Sequence, residues 1–307
     1  MLSRVAARIY WMSRYLERAE NTARLVAVYG ELLMDLPADA GLDWNVPVQI
    51  LGLEEAWAQS PQSGNELAFL LGGEGNPGSL LRALQQAREN ARTTRDVMPS
   101  EAWRAINELQ RDFERVLGQS RHTASTRLPV EIVRRCHEIT GIVESAVSRG
   151  PVYRFIQLGR SLERADMTSR MIDVAAAIML TGRVELQHYT STIWRGVLRA
   201  LSAYQMYRQH VRRRIVGENV VAFLLLDTGF PRSVAYCVAR MNEAVSTLPR
   251  CEEASREISD LQASLASLDL VDTTFESVHR LVDDLQIELA DFNDIIFRTW
   301  LNPAGIE

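Results

Sequence analysis

The twelve residues from Arg14 to Leu25, RYLERAENTARL, recur 146 residues later, from Arg160 to Met171, as RSLERADMTSRM. Seven positions are identical, and Glu20/Asp166, Ala23/Ser169 and Leu25/Met171 are conservative pairs. A second block repeats as well. Ala68 to Ser79 (AFLLGGEGNPGS) matches Ala222 to Ser233 (AFLLLDTGFPRS) at seven of twelve positions, at an offset of 154. Trp44 and Trp194 correspond at an offset of 150. Repetition at this period implies tandem duplication of one supersecondary half, with the boundary near Gly150-Pro151. Two such halves, about 1–150 and 151–307, are expected to bury their seams against each other about a pseudo-twofold axis, as a single domain.

The period of the apolar residues decides the class of each half. Leu2, Val5, Ile9, Met12, Leu16, Ala19, Ala23 and Val26 alternate by three and four, which is the stripe of a long helix ending near Leu36, before Pro37 and Gly41. Similar patterns predict helices over 79–97, 100–118, 130–149, 152–181, 185–215, 232–247, 251–268 and 273–299, punctuated by Gly150-Pro151, Gly182, Gly217 and Pro249. No strand-like alternation interrupts them. The expected fold is an all-α helical bundle.

Several chemistries are excluded. All 34 basic residues are arginine, so no P-loop lysine, Schiff-base lysine or Ser-x-x-Lys nucleophile can exist in this chain. The net charge of −5 opposes general nucleic-acid binding, and Arg212-Arg213-Arg214 reads as the solvated end of a helix. No apolar run reaches the length of a membrane span, and Arg4 and Arg8 lie within an amphipathic pattern rather than ahead of an apolar block, so no signal peptide is expected. Cys136, Cys237 and Cys251 form no close pair, which points to a reducing cytoplasm. Gly73, Gly75 and Gly78, with Asp96 further on, spell a dinucleotide fingerprint, but helices flank it and no βαβ unit follows, so a helix–turn–helix corner is expected instead. Cys136 and His137 are adjacent and point about 100° apart on a helix, which rules them out as a nucleophile–base pair.

Two Glu-x-x-His pairs, Glu185/His188 and Glu276/His279, have the spacing of di-iron bundles, with Glu17 and Glu163 as further carboxylates. Their order along the chain differs from that of ferritin-like bundles. No cofactor or metal is expected, and these four residues are the alternative ligands.

The repeated motif remains the main candidate. With Leu16 at the centre of the apolar stripe, Glu17, Glu20 and Arg24 run along one flank, and Arg14 and Arg18 point further round. Glu163, Asp166 and Arg170 repeat that ridge, beside Arg160 and Arg164. Glu20–Arg24 and Asp166–Arg170 are i, i+4 pairs with the acid first, the favourable orientation. Two readings stay open. One is a buried Arg–Glu lattice that sets helix register. The other is a polar groove able to hold a carboxylate, a phosphate or a peptide end.

The segments Tyr10–Asn21 (YWMSRYLERAEN), Leu158–Thr168 (LGRSLERADMT), Phe223–Val234 and Ala87–Arg92 resemble the alpha-E domain, a bacterial all-helical family of unknown function with a Glu-Arg motif. The motif falls on Glu17-Arg18 and Glu163-Arg164. The resemblance covers essentially the whole chain. It implies a neighbour or fusion partner that is a circularly permuted ATP-grasp ligase, and association with a transglutaminase-like cysteine peptidase, in a peptide or amide ligation and processing system. The expected role is therefore a non-catalytic partner of the ligase, without a nucleic-acid or membrane partner. The alternative is an enzyme or metalloprotein that uses Glu17 and Glu163.

Overall fold

The structure, a computed structural model, describes residues 1–37, 41–60, 65–73, 75–119, 127–182, 186, 188–270 and 273–302. Among these there is no strand, and the class is all-α. In chain order the helices are α1 (Ser3–Asp35), α2 (Asn45–Ile50), α3 (Glu54–Ala58), α4 (Glu66–Gly72), α5 (Leu80–Arg92), α6 (Ser100–Gln119) and α7 (Arg127–Ala146). They continue with α8 (Pro151–Leu180), α9 (Thr190–Ala200), α10 (Tyr204–His210), α11 (Gly217–Leu226), α12 (Val234–Val245), α13 (Glu252–Ala266) and α14 (Phe275–Ile296). A π-helical turn, Phe297–Leu301, follows.

The chain divides into two compact units. The first comprises Met1–Ala27, Trp44–Arg160 and Trp300–Glu307; the second comprises Val28–Asp43 and Ser161–Thr299. In the first, α5, α6 and α7 pack in succession, and each shows a single apolar stripe. Leu80, Ala83, Leu84, Ala87 and Ala91 are buried on α5, and Ala102, Ile106, Leu109 and Phe113 on α6, the three-and-four spacing of a core face. Each buried leucine or phenylalanine contributes about 1.5–3 kcal/mol relative to an exposed one. In the second unit, α12, α13 and α14 pack in succession around Val234, Val238, Met241, Ile258, Val282 and Phe292.

Within the first unit α1 and the start of α8 approach closely because small residues line the crossing. A Cβ placed on Gly159 would lie 2.5 Å from the carbonyl oxygen of Tyr10, and the Ser13 hydroxyl donates to the carbonyl of Ile156 at 2.7 Å.

The second repeated block forms a helix–corner–helix in each unit. Ser79 caps α5 by accepting from the Arg82 N–H, and Ser233 caps α12 by accepting from the Tyr236 N–H. Such caps are worth about 1 kcal/mol each. The residue that tightens the corner differs. Asn76 accepts from the Gly78 N–H at 2.8 Å in the first, whereas Asp227 accepts from Gly229 and Phe230 at 2.9 and 2.7 Å in the second. Gly73 follows a helix, so the glycine pattern lacks the strand that a dinucleotide site needs.

The expected helix over 185–215 is instead two helices, α9 and α10, with residues 183–185 and 187 outside the described set. The break is a Schellman turn. The Ala203 N–H donates to Leu198 and the Ser202 N–H to Arg199, with Ser202 at φ +55°. The same turn ends α2, where the Leu53 N–H donates to Val48, the Gly52 N–H donates to Gln49, and Gly52 stands at φ +64°. Gly52 and Ser202 are separated by 150 residues, the offset of the two tryptophans. No proline or glycine marks the break at Ser202, which is why periodicity runs through it. Ser202→Gly should therefore raise the melting temperature by about 1–3 °C. Relief of a left-handed non-glycine residue, about 1–2 kcal/mol, exceeds the added unfolded-state entropy of about 0.5–1 kcal/mol. A lower melting temperature for this variant in a thermal scan would contradict the turn's geometry.

Candidate functional site

The first copy of the motif lies on α1 in the first unit. Leu16, the expected centre of the stripe, is only half-buried, while Glu17 and Glu20 are 3% and 2% exposed and Asn21, Thr22 and Ala23 are buried too. The buried arc is wider than one stripe, so the two carboxylates that sequence places on the flank lie inside it.

Residues of α7 complete the arrangement. The Arg24 guanidinium donates to Glu20 Oε1 at 2.5 Å, and His137 Nε2 lies 3.0 Å from the same oxygen and 3.1 Å from Arg24 Nη2. The guanidinium can only donate, so His137 Nε2 either accepts from Arg24 or donates to Glu20, depending on its tautomer. A cleft of about 30 Å³, room for a water or two, is lined by Glu17, Glu20, Cys136, Thr140 and Arg160 among others. Cys136 faces it as a buried thiol whose pKa is pushed well above the ordinary thiol range, first by burial and then by the charges of Glu20 and Glu17. That environment suppresses the thiolate, the reactive form.

Two arginines of the motif meet aromatic faces. The Arg14 guanidinium stands 5.1 Å from the Trp11 ring centroid and 5.9 Å from that of Tyr10, and Arg18 stands 5.7 Å from Tyr15. Arg160, the first residue of the second copy, donates to Glu144 of α7 at 2.6 Å, and the Tyr153 hydroxyl donates to the other oxygen at 2.8 Å. Burial pushes the Glu144 pKa up, but the hydrogen bonds and charge from Arg160 and the Tyr153 hydroxyl outweigh it and hold the carboxyl below its ordinary value.

In the second unit Glu163 is 3% exposed and Arg164 is half-buried. Asp166 accepts from Arg170 at 2.9 Å, the expected i, i+4 pair. The repeated threonine, Thr168, donates to the Arg232 carbonyl at 2.8 Å and so ties α8 to the corner before α12. Its counterpart Thr22 is also fully buried, with no hydrogen-bond partner at its hydroxyl.

Of the four alternative metal ligands, Glu185 lies outside the described residues. His188 is exposed in a turn, and Glu276 is exposed and meets Arg280 at 3.6 Å. His279 turns instead to Asp173 of α8 through Nδ1, with Asp283 Oδ2 3.8 Å from its Nε2. Sequence reasoning took up His137 only beside Cys136 and missed its meeting with Glu20, as it missed Glu144 and Asp173, because each meets its partner from a different helix and no spacing records such a meeting.

Cys136 and Cys237 are buried and Cys251 is half-buried, all as free thiols. Ellman's reagent at pH 8 should therefore titrate Cys251 first. It should reach Cys136 and Cys237 only on unfolding, and rapid labelling of all three in the native protein would contradict the burial.

A family model described as "A predicted alpha-helical domain with a conserved ER motif" matches residues 1–301. Uncharacterized proteins of Mycobacterium bovis (strain ATCC BAA-935 / AF2122/97) and Mycobacterium tuberculosis (strain CDC 1551 / Oshkosh) are each 23% identical over 279 residues, covering 82% of this chain and 30% of the relative. The chain thus spans under a third of the length of the curated relatives it matches. No solved structure matches it. Among the described residues no helix is long and apolar enough to cross a membrane.

Proposed function

Given that this chain belongs to the Alpha-E family, we propose that it is a non-catalytic helical partner of a circularly permuted ATP-grasp ligase in a bacterial peptide or amide ligation and processing system. The observation that carries the non-catalytic half of this reading is what the motif's charges do. Glu20 holds Arg24 and His137, Arg160 holds Glu144, and Asp166 holds Arg170, all as pairs between or along helices. An acid–base role for Glu17 or Glu163 needs a carboxylate that substrate can reach, and both are 3% exposed. The chain has no lysine, and the thiol beside the carboxylates is disfavoured as a nucleophile.

The choice of ligase follows from the family resemblance. The mycobacterial relatives, in which the matching region is joined to more than twice its own length of further polypeptide, support a role beside another protein but do not name it. A helical unit that works beside another protein fits either a fused or a separate arrangement. We further read the two halves as products of tandem duplication, supported by the matching serine caps and the paired turns at Gly52 and Ser202. The free cysteines fit a cytoplasmic setting.

The test is co-purification of the tagged chain with the ATP-grasp protein encoded beside it, together with ligase assays with and without the chain. A stable complex or a changed ligase rate is expected. No complex and no change on mixing would refute the proposal.

A further inference from the structure

We propose that Asp173, His279 and Asp283 form a binding site for one divalent transition-metal ion within the second unit. His279 and Asp283 are four residues apart on α14, so both side chains leave the same face of the helix. Asp173, on α8, reaches that face: its Oδ1 meets His279 Nδ1, and Asp283 Oδ2 lies 3.8 Å from His279 Nε2. One ligand atom from each residue can be chosen so that all three lie within 4.8 Å of one another. Asp173 and Asp283 now face opposite ring nitrogens of His279, so holding one ion requires the side chains to turn until a single nitrogen meets both carboxylates. The side chains are 20%, 39% and 51% exposed, so an ion can enter from solvent and keep water in its remaining positions.

The charge balance favours a cation. Two carboxylates face a single imidazole, and the guanidinium that acts on Asp173, Arg170, is already tied to Asp166 at 2.9 Å. One nitrogen and two oxygens suit a borderline ion such as Zn²⁺, Mn²⁺ or Fe²⁺ better than Mg²⁺ or Ca²⁺, which prefer oxygen-only shells. This site shares only His279 with the Glu-x-x-His reading and is independent of the ligase proposal.

Calorimetric titration of Zn²⁺ alone into the full chain, stripped with chelator and desalted, tests it. One ion per chain is expected, with His279→Gln and Asp283→Asn each weakening binding at least about tenfold while the helical circular dichroism is retained. His188→Gln and Glu276→Gln should leave the titration unchanged. Asp283 is the most exposed of the three, so its variant keeps the test valid if His279→Gln folds poorly. Absence of stoichiometric binding would overturn the site, leaving a protonated His279 bridging two carboxylates. Binding undiminished in both ligand variants would do the same, because the ion would then sit elsewhere.

Discussion

Gly159→Ala should lower the melting temperature by about 3–6 °C even though alanine is the better helix former. In an open helix the change would add up to about 1 kcal/mol of stability. Here the new methyl would lie 2.5 Å from the Tyr10 carbonyl oxygen, a backbone atom that no rotamer change can move away. Arg14 Cγ and Ser13 Cβ, both at 3.3 Å, close the other sides. The start of α8 must then shift away from α1, straining the Ser13–Ile156 hydrogen bond at 2.7 Å. Overpacking of this kind costs about 1–3 kcal/mol and occasionally more, leaving a net loss of roughly 1–2 kcal/mol after the gain in helix propensity. Gly159→Val should be worse, because a β-branched side chain adds more bulk with less of the propensity gain. Thermal unfolding of both variants checks the order. A melting temperature that rises in the alanine variant would show that the helices separate freely and that the crossing is not close-packed.

The second large effect is expected at Glu20. Glu20→Gln keeps the shape and removes the charge that Arg24 and His137 meet inside the first unit. The Arg24 side chain is only 12% exposed, so water cannot fully replace the lost carboxylate. Removing one partner of a buried ion pair costs about 3–5 kcal/mol, and partial exposure of the partners brings the expectation here to roughly 2–3 kcal/mol. The melting temperature should fall by about 5 °C. Glu89→Gln is the contrast. The Glu89–Arg92 pair is nearly half exposed at both ends, and such pairs contribute about 0–1 kcal/mol. A double change, Glu20→Gln with Arg24→Met, should recover part of the loss, since it removes the desolvated guanidinium as well. Equal, small shifts for Glu20→Gln and Glu89→Gln would mean that the motif's pair is an ordinary surface pair.

How much of this was legible in the sequence differs from element to element. The long helix over Ser3–Asp35 and the helix opening on Pro151 follow from apolar spacing and from punctuation by proline and glycine, and both ends fall within a residue or two of the structure. The corner before Ser79 and Ser233 was legible from its shared glycine, proline and serine. The short helices over 45–50, 54–58 and 217–226 were not, because so few turns establish no period, and Gly217–Leu226 is apolar nearly all round. The turn at Ser202 was invisible for a different reason: its backbone departs from the helix at a residue that carries no turn signal.

By itself the sequence determined the all-α class, the internal repeat, the i, i+4 pairs Glu20–Arg24 and Asp166–Arg170, and the exclusion of lysine chemistry. Each rests on residue identity or on spacing along one helix, where 100° per residue converts number into direction. Only the tertiary structure decided that Glu17, Glu20 and Glu163 are buried, that His137 joins Glu20 and Arg24, that Arg160 turns to Glu144, and that Asp173 meets His279. Those facts depend on which helices come alongside and at what rotation about their axes. That choice is set by the summed packing of whole apolar faces, and no local spacing encodes it.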